Sequence, residues 1–290
     1  YMTQNYDRVL LAFAKWGVEP ADMPITKFGK PRDLGEHIHL TARTFQALPC
    51  INAGDPENVI ADMNDMGKLY YEDPNDDAFA WGAVYNAAMA LAMLPDATVE
   101  SVIDGALKYG TPEIEEEIRY AIAITEKYDD PMDRDMWQEL SDMYMDPESK
   151  YNAFARIEKY PNSSIFENVG FAFALFKATN ADIRQSVLIA TNRGYDADCT
   201  AASAAALCGA LSGTSKIPAD WIETLDSGTG LNPYTNAHFT NKATADGLYR
   251  ALQQKVYRME KEANAMKNNK EEAKKIKDYV SLMKKAGVID

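Results

Sequence analysis

The sequence predicts an all-α fold, a compact multi-helix bundle, and three observations carry that reading. Apolar residues recur at helical spacing through most of the 290 residues. Strand signals are scarce, with no run of alternating β-branched residues beside hairpin turns. Pro, Gly, Thr and Asp punctuate the chain where helical runs begin and end. No repeat of roughly 20–50 residues is visible, and no Gly/Ser-rich or Pro-rich linker divides the chain. A single domain over residues 1–290 is therefore the expectation.

The helices follow in order. Residues 6–16 put Val9, Leu10, Phe13 and Ala14 on one face. Residues 57–71 follow Asp55-Pro56, with Asp55 as N-cap and Pro56 at the first helical position. Residues 78–94 are Ala-rich and apolar on most sides, as in a buried helix, and end at Pro95. Thr98 caps 99–108, with Gly110 as its stop. Thr111-Pro112 restarts a helix towards Lys127, and 129–131 break it. Short helices follow at 133–145, 168–177 and 182–191. Residues 201–211 form a small-residue helix whose alanines and Gly209 allow close approach. Residues 218–225 carry Trp221 on an apolar side, and 243–263 and 270–286 close the chain. Trp16, Trp81, Trp137 and Trp221 read as core or edge-of-core anchors, and Met63, Met66, Met89 and Met93 as core filler.

Composition excludes several classes of protein. Apolar residues make up 46% and charged residues 26%, so neither a disordered chain nor a small disulfide scaffold fits. No apolar run reaches the roughly 18–20 residues of a membrane span. The charge of −14 argues against nucleic acid, whose binding rests on neutralised phosphates. Cys50, Cys199 and Cys208 include no C-x-x-C, and His37, His39 and His238 no H-E-x-x-H. His37-x-His39 reads as a solvent-facing pair unless it lies on a strand. The first residue is Tyr and no signal segment opens the chain, so a processed product or missing upstream residues are expected. Unpaired cysteines suit a cytoplasm-like redox state; a processed N-terminus suits export equally.

One segment carries chemistry: Asn192-Arg-Gly-Tyr-Asp196-Ala-Asp198-Cys199-Thr200. Two carboxylates two residues apart, on an irregular turn after Gly194, can converge on one hard cation. The Thr200 hydroxyl or a backbone carbonyl can join them. The plainer reading makes Asp198 a helix N-cap and Asp196 a surface turn residue. Spacing alone leaves both open.

Residues 194–221 read G-Y-D-A-D-C-T-A-A-S-A-A-A-L-C-G-A-L-S-G-T-S-K-I-P-A-D-W. This resembles the C-terminal signature of the ADP-ribosylglycohydrolase family: G-x-D-T-D, a small-residue run, G-A-x-x-G, then I-P-x-x-W. Ile51-Asn-Ala-Gly-Asp-Pro-Glu57, the helix from Trp81, and the helices at Asn168 and Asp182 resemble further family blocks. The likeness runs over about 51–225, with a weaker echo at 244–258, leaving 243–290 as C-terminal helices. It implies an all-α fold with a dinuclear Mg²⁺ or Mn²⁺ centre in a cleft, of which this chain would hold two ions or one, hydrolysing N- or O-glycosidic bonds of ADP-ribose on proteins or small molecules. By motif, Asp196 and Asp198 would ligate metal, with Thr200 or Cys199 where the family often has a Thr. A thiol is a poor Mg²⁺ ligand. Tyr195, Asn168 and Gly194 are the substrate-side candidates, Tyr195 as a stacking ring and Asn168 as a helix cap or cleft residue.

The family's other metal motif, T-D-D-T, is not found. Either Thr3 and Gln4, or residues near them, replace its aspartates, as counting back would put them, or the acidic pair was lost with upstream residues; Tyr71 stands near a family His. Asp73, Asp76 and Asp77 are the nearby acids, otherwise a solvated loop. Two functions follow: a metal-dependent hydrolase of an ADP-ribosyl or related glycosidic bond, or a degenerate member that binds a nucleotide-sugar or carbohydrate without turnover.

Overall fold

The structure is a computed structural model and describes residues 45–67, 77–156, 164–194, 196–231 and 239–290. Among these residues there is no strand, and every regular element is a helix. The expected helix at 6–16, with Trp16, lies outside the described residues, as do His37, His39 and His238.

The first helices build the floor of the core. α1 (Ala47–Ile51) and α2 (Pro56–Gly67) are joined by a turn that leaves Asp55 as the cap, its carboxylate accepting the Asn58 amide at 3.1 Å. α3 (Asp77–Ala92) is buried at every residue from 81 to 90, which follows from its Ala-rich, all-round apolar sequence. α4 (Val99–Leu107) opens on a reciprocal capping box between Thr98 and Ser101. α5 (Pro112–Thr125) opens on Thr111 with Pro at its start. Gly110 differs from its expected role: it has no positive φ, and a Cβ there would meet Val84 at 2.7 Å. It is a glycine of close approach, not a left-handed stop.

The next group carries the site. α6 (Arg134–Met145) and the short α7 (Ala153–Arg156) lead into α8 (Ile165–Ala178), which is buried from Ile165 to Phe176. Ser164 caps α8, so Asn168 is not its cap. α9 (Ile183–Asn192) starts on Asp182. α10 (Ala197–Ser212) begins four residues ahead of the expected 201, so the acidic pair belongs to a helix end and not to a free turn. α10 packs on α9, α8 and α3. Its alanines make that approach possible. Gly209 contributes less, since a Cβ there would meet Ile183 only at ordinary contact distance, 3.6 Å.

α11 (Ala219–Leu231), α12 (Asn241–Ala265) and α13 (Lys270–Lys285) complete the chain. α13 runs back along α12, and Leu252, Val256, Val280 and Met283 form a small core with Ala53. Tyr279 donates to the Ala53 carbonyl at 3.0 Å, which seats this pair on the turn after α1. Trp81 is buried in the main core, Trp137 packs at its edge, and Trp221 is half-buried on α11. Met63 and Met89 are core; Met93 is half-buried and Met66 exposed. No helix among the described residues is long and apolar enough to cross a membrane.

Two features beside α8 have measurable consequences. A Cβ at Gly170 would collide with the buried Tyr144 hydroxyl, which has no hydrogen-bond partner among the described residues. Gly170→Ala should cost about 1–3 kcal/mol by overpacking, read by urea denaturation. Adding Tyr144→Phe, which removes the colliding oxygen, should recover part of that loss. Glu117 of α5 is buried, and Arg156 Nη1 donates to both its oxygens at 2.9 and 3.0 Å. Burial nevertheless lifts its carboxyl from 4.5 to about 7, against the pull of Arg156. The folded state thus holds this proton more tightly than the unfolded chain. The resulting stabilisation is present below pH 4.5 and is lost as pH rises through about 7. In Glu117→Gln, denaturation midpoints measured across that window should fall less steeply with pH than those of the parent chain.

Candidate metal centre

The candidate centre forms where the turn after α9 enters α10. Gly194 has φ +83°, and nothing lies within 4 Å of where its Cβ would be. Glycine is needed here for the left-handed backbone, not for space. The turn brings Asp196 to the N-cap position of α10 with φ −83° and ψ 59°, yet its side chain makes no capping bond. Instead Asp196 Oδ2 accepts from Asn168 Nδ2 at 3.4 Å. Asp198 follows inside the first turn and is exposed; it is not the N-cap that the plainer reading made it. Cys199 comes next, 6% exposed, its Sγ–H donating to Asp198 Oδ2 at 3.7 Å.

One ligand atom each from Asp196, Asp198 and Cys199 lies within 4.8 Å of the others. Two carboxylates and a thiol make a donor set that would fit one divalent cation such as Mn²⁺. The N-terminal end of α10 favours the two carboxylates electrostatically. Their mutual repulsion is what a bound cation would relieve.

Behind this cluster lies a buried polar layer. Thr200 is fully buried; its hydroxyl donates to Asn168 Oδ1 at 2.6 Å and accepts from Arg193 Nη1 at 3.2 Å. Asn168 is equally buried and also donates to the Ser164 carbonyl at 2.9 Å. Arg193 pairs with Glu167, with side-chain exposures of 1% and 0%. The Arg193 guanidinium lies 3.8 Å from the Phe171 ring centroid.

The structure brings Asp196, Asp198 and Cys199 together and places Thr200 and Asn168 directly behind them. Gly194 is exposed at the rim. Tyr195, Tyr71, Asp73, Asp76, Thr3 and Gln4 lie outside the described residues, and Asp77 opens α3. Sequence reasoning missed Glu167 and Arg193. The signal was there: Glu167 is the only acid in the apolar run Ile165–Ala178, and such a residue is rarely buried without a partner. A groove of about 500 Å³ between α2 and α13, lined by Asp55, Glu57, Tyr109, Lys275 and Tyr279 among others, contains none of the candidate ligands.

A comparison with protein-family models matches the chain over residues 30–255 to the model described as ADP-ribosylglycohydrolase. Neither the curated proteins nor the solved structures give a match.

Glu167→Gln would remove the buried carboxylate charge that pairs with Arg193. The expected loss is about 3–5 kcal/mol in chemical denaturation. Replacing both partners by apolar residues, Glu167→Leu with Arg193→Met, should cost less than the single change.

Proposed function

The chain belongs to the ADP-ribosylglycohydrolase family, and from that premise we propose that it is a metal-dependent hydrolase of a glycosidic bond, ADP-ribosyl or a related glycoside. Glycohydrolase chemistry in general comes with the family; the dependence on metal and the nature of the substrate are our reading. The observation that carries it is the convergence of Asp196, Asp198 and Cys199 on one turn of α10, inside the block matched by the family model.

In this reading Asp196 and Asp198 hold Mg²⁺ or Mn²⁺, as one ion or two, with Cys199 as a further donor. A bound ion supplies Lewis acidity towards sugar hydroxyls and a water of lowered pKa. The carboxylates do the rest: their negative charge faces the cationic character that develops at the anomeric carbon as the glycosidic bond breaks. Thr200 and Asn168 already spend their polar atoms on each other, Arg193, Ser164 and Asp196, which supports a holding role for both. Gly194 and Tyr195 are the substrate-side residues, the ring serving to stack on a base. The substrate class is ADP-ribose linked to a protein or a small molecule. Cys50, Cys199 and Cys208 form no disulfide among the described residues, which suits a cytoplasm-like redox state without excluding export.

The second reading keeps the site and drops the turnover. It takes Thr3 and Gln4, which precede the matched residues 30–255, as replacements for the family's N-terminal aspartates; an acidic pair encoded upstream of Tyr1 would favour the first reading. Such a chain would bind a nucleotide-sugar or carbohydrate, with at most one weakly held ion.

Calorimetric titration with Mg²⁺ and Mn²⁺ tests the metal, and release of ADP-ribose from ADP-ribosylated substrates tests the turnover. Asp196→Asn with Asp198→Asn should weaken binding by more than the about 10–100-fold that changes outside the ligand set cost. Because a thiolate suits Mn²⁺ better than Mg²⁺, the parent chain should prefer Mn²⁺, and Cys199→Thr should narrow that preference. Binding indifferent to the aspartate changes would overturn the metal reading. Metal-dependent binding of ADP-ribose with no hydrolysis would favour the second function.

A further inference from the structure

Asp196 stands in a position that ought to divert it. At an N-cap, a carboxylate ordinarily turns onto the free amides of its own helix. Those are the same oxygens that a cation would need. In this chain the side chain makes no such bond, and a buried sequence of hydrogen bonds accounts for where it goes instead.

The sequence has only one workable direction. A guanidinium has N–H donors and no acceptor, at any ordinary pH. With Arg193 Nη1 at 3.2 Å, the Thr200 oxygen accepts there, and its single proton is left for another partner. Asn168 Oδ1 takes that proton at 2.6 Å. The amide is thereby oriented: its oxygen faces Thr200, and Nδ2 faces the Ser164 carbonyl and Asp196 Oδ2. Turned the other way, Asn168 would set its own oxygen against the Asp196 carboxylate, acceptor to acceptor. Glu167 supplies the counter-charge that lets Arg193 stay buried, and the Phe171 ring covers its face.

We propose that Arg193, Thr200 and Asn168 are positioning residues for the metal centre. Acting in series, they hold Asp196 by Oδ2 off the end of its own helix, in the orientation in which it would meet the ion. This deepens the proposed function and rests on it. It also gives Thr200 a role of its own: its hydroxyl is an intermediate in the series, not a ligand. In this role none of the three is a ligand of the ion.

The test is Mn²⁺ binding to the full chain, with MnCl₂ alone, followed by the electron paramagnetic resonance of free Mn²⁺. Thr200→Ser keeps the hydroxyl, Thr200→Val keeps the shape, and Thr200→Ala covers the case in which the valine does not fold. The serine variant should bind within about two-fold of the parent, and the valine and alanine variants about 10-fold more weakly, as expected of groups that orient ligands. Thermal unfolding of each variant shows that the chain is folded. Equal affinity in all of them would overturn the inference and leave the metal centre standing. A serine variant as weak as the valine would also overturn it, because packing and not the hydroxyl would then be at stake. A parent chain that binds no Mn²⁺, or binds it equally after Asp196→Asn with Asp198→Asn, brings down the proposed function and this inference with it.

Discussion

Glu167 and Arg193 are the constraint that the site half of the molecule obeys. Moving either ion out of water costs several kcal/mol, and only the opposite charge at close range makes the interior tolerable. The two residues come from different helices. Glu167 lies in the first turn of α8, where the helix end favours an anion, and Arg193 follows the last residue of α9, where it favours a cation. Their pairing fastens the start of one helix to the end of the next. It also fixes where the chain must leave α9, and hence where Gly194 can turn and α10 can begin. Glu167 stands three residues after the Ser164 cap, the place of a capping-box acid. Its carboxylate serves Arg193 instead.

α8 solves the same problem twice. Arg156 pairs with buried Glu117 and lies over the Phe166 ring at 3.7 Å; Arg193 pairs with buried Glu167 and lies over Phe171 at 3.8 Å. In each case a carboxylate satisfies the charge and an aromatic face on α8 takes the flat side of the guanidinium. The pairs differ in reach. The first ties α5 to α7 behind the core; the second continues through Thr200 and Asn168 to the surface aspartates. A single apolar helix thus offers a ring to each arginine, to Arg193 in the interior and to the half-buried Arg156.

Much of this was legible in the sequence, and for local reasons. Thr98, Thr111, Asp133 and Asp182 act at helix starts because capping depends on neighbours a few residues away. α3 reads as buried because it is apolar on most sides, with Asn86 the polar residue in its buried stretch. The acidic pair reads as a candidate centre because Asp196 and Asp198 are close in the chain. The start of α10 was read four residues late, since Asp-Ala-Asp-Cys-Thr looks like a turn in isolation and becomes helical when its alanines pack on α8 and α9. Gly110 was misread because its reason lies in Val84, across the fold. The Arg193–Thr200–Asn168 series joins residues from three elements, and no spacing rule reports a contact of that kind.

The burial of the Glu167–Arg193 pair also separates the molecule's two kinds of electrostatics. Exposed pairs such as Lys150–Glu116, Lys242–Asp246 and Lys274–Asp278 sit in water and are screened by added salt within roughly a Debye length of 8–10 Å. The self-repulsion of a chain with net charge −14 is screened in the same way. No counter-ion reaches the interior pair. Rising ionic strength therefore reworks the outer shell, weakening its bridges and easing its repulsion together, while the framework that shapes the Asp196 turn keeps its geometry.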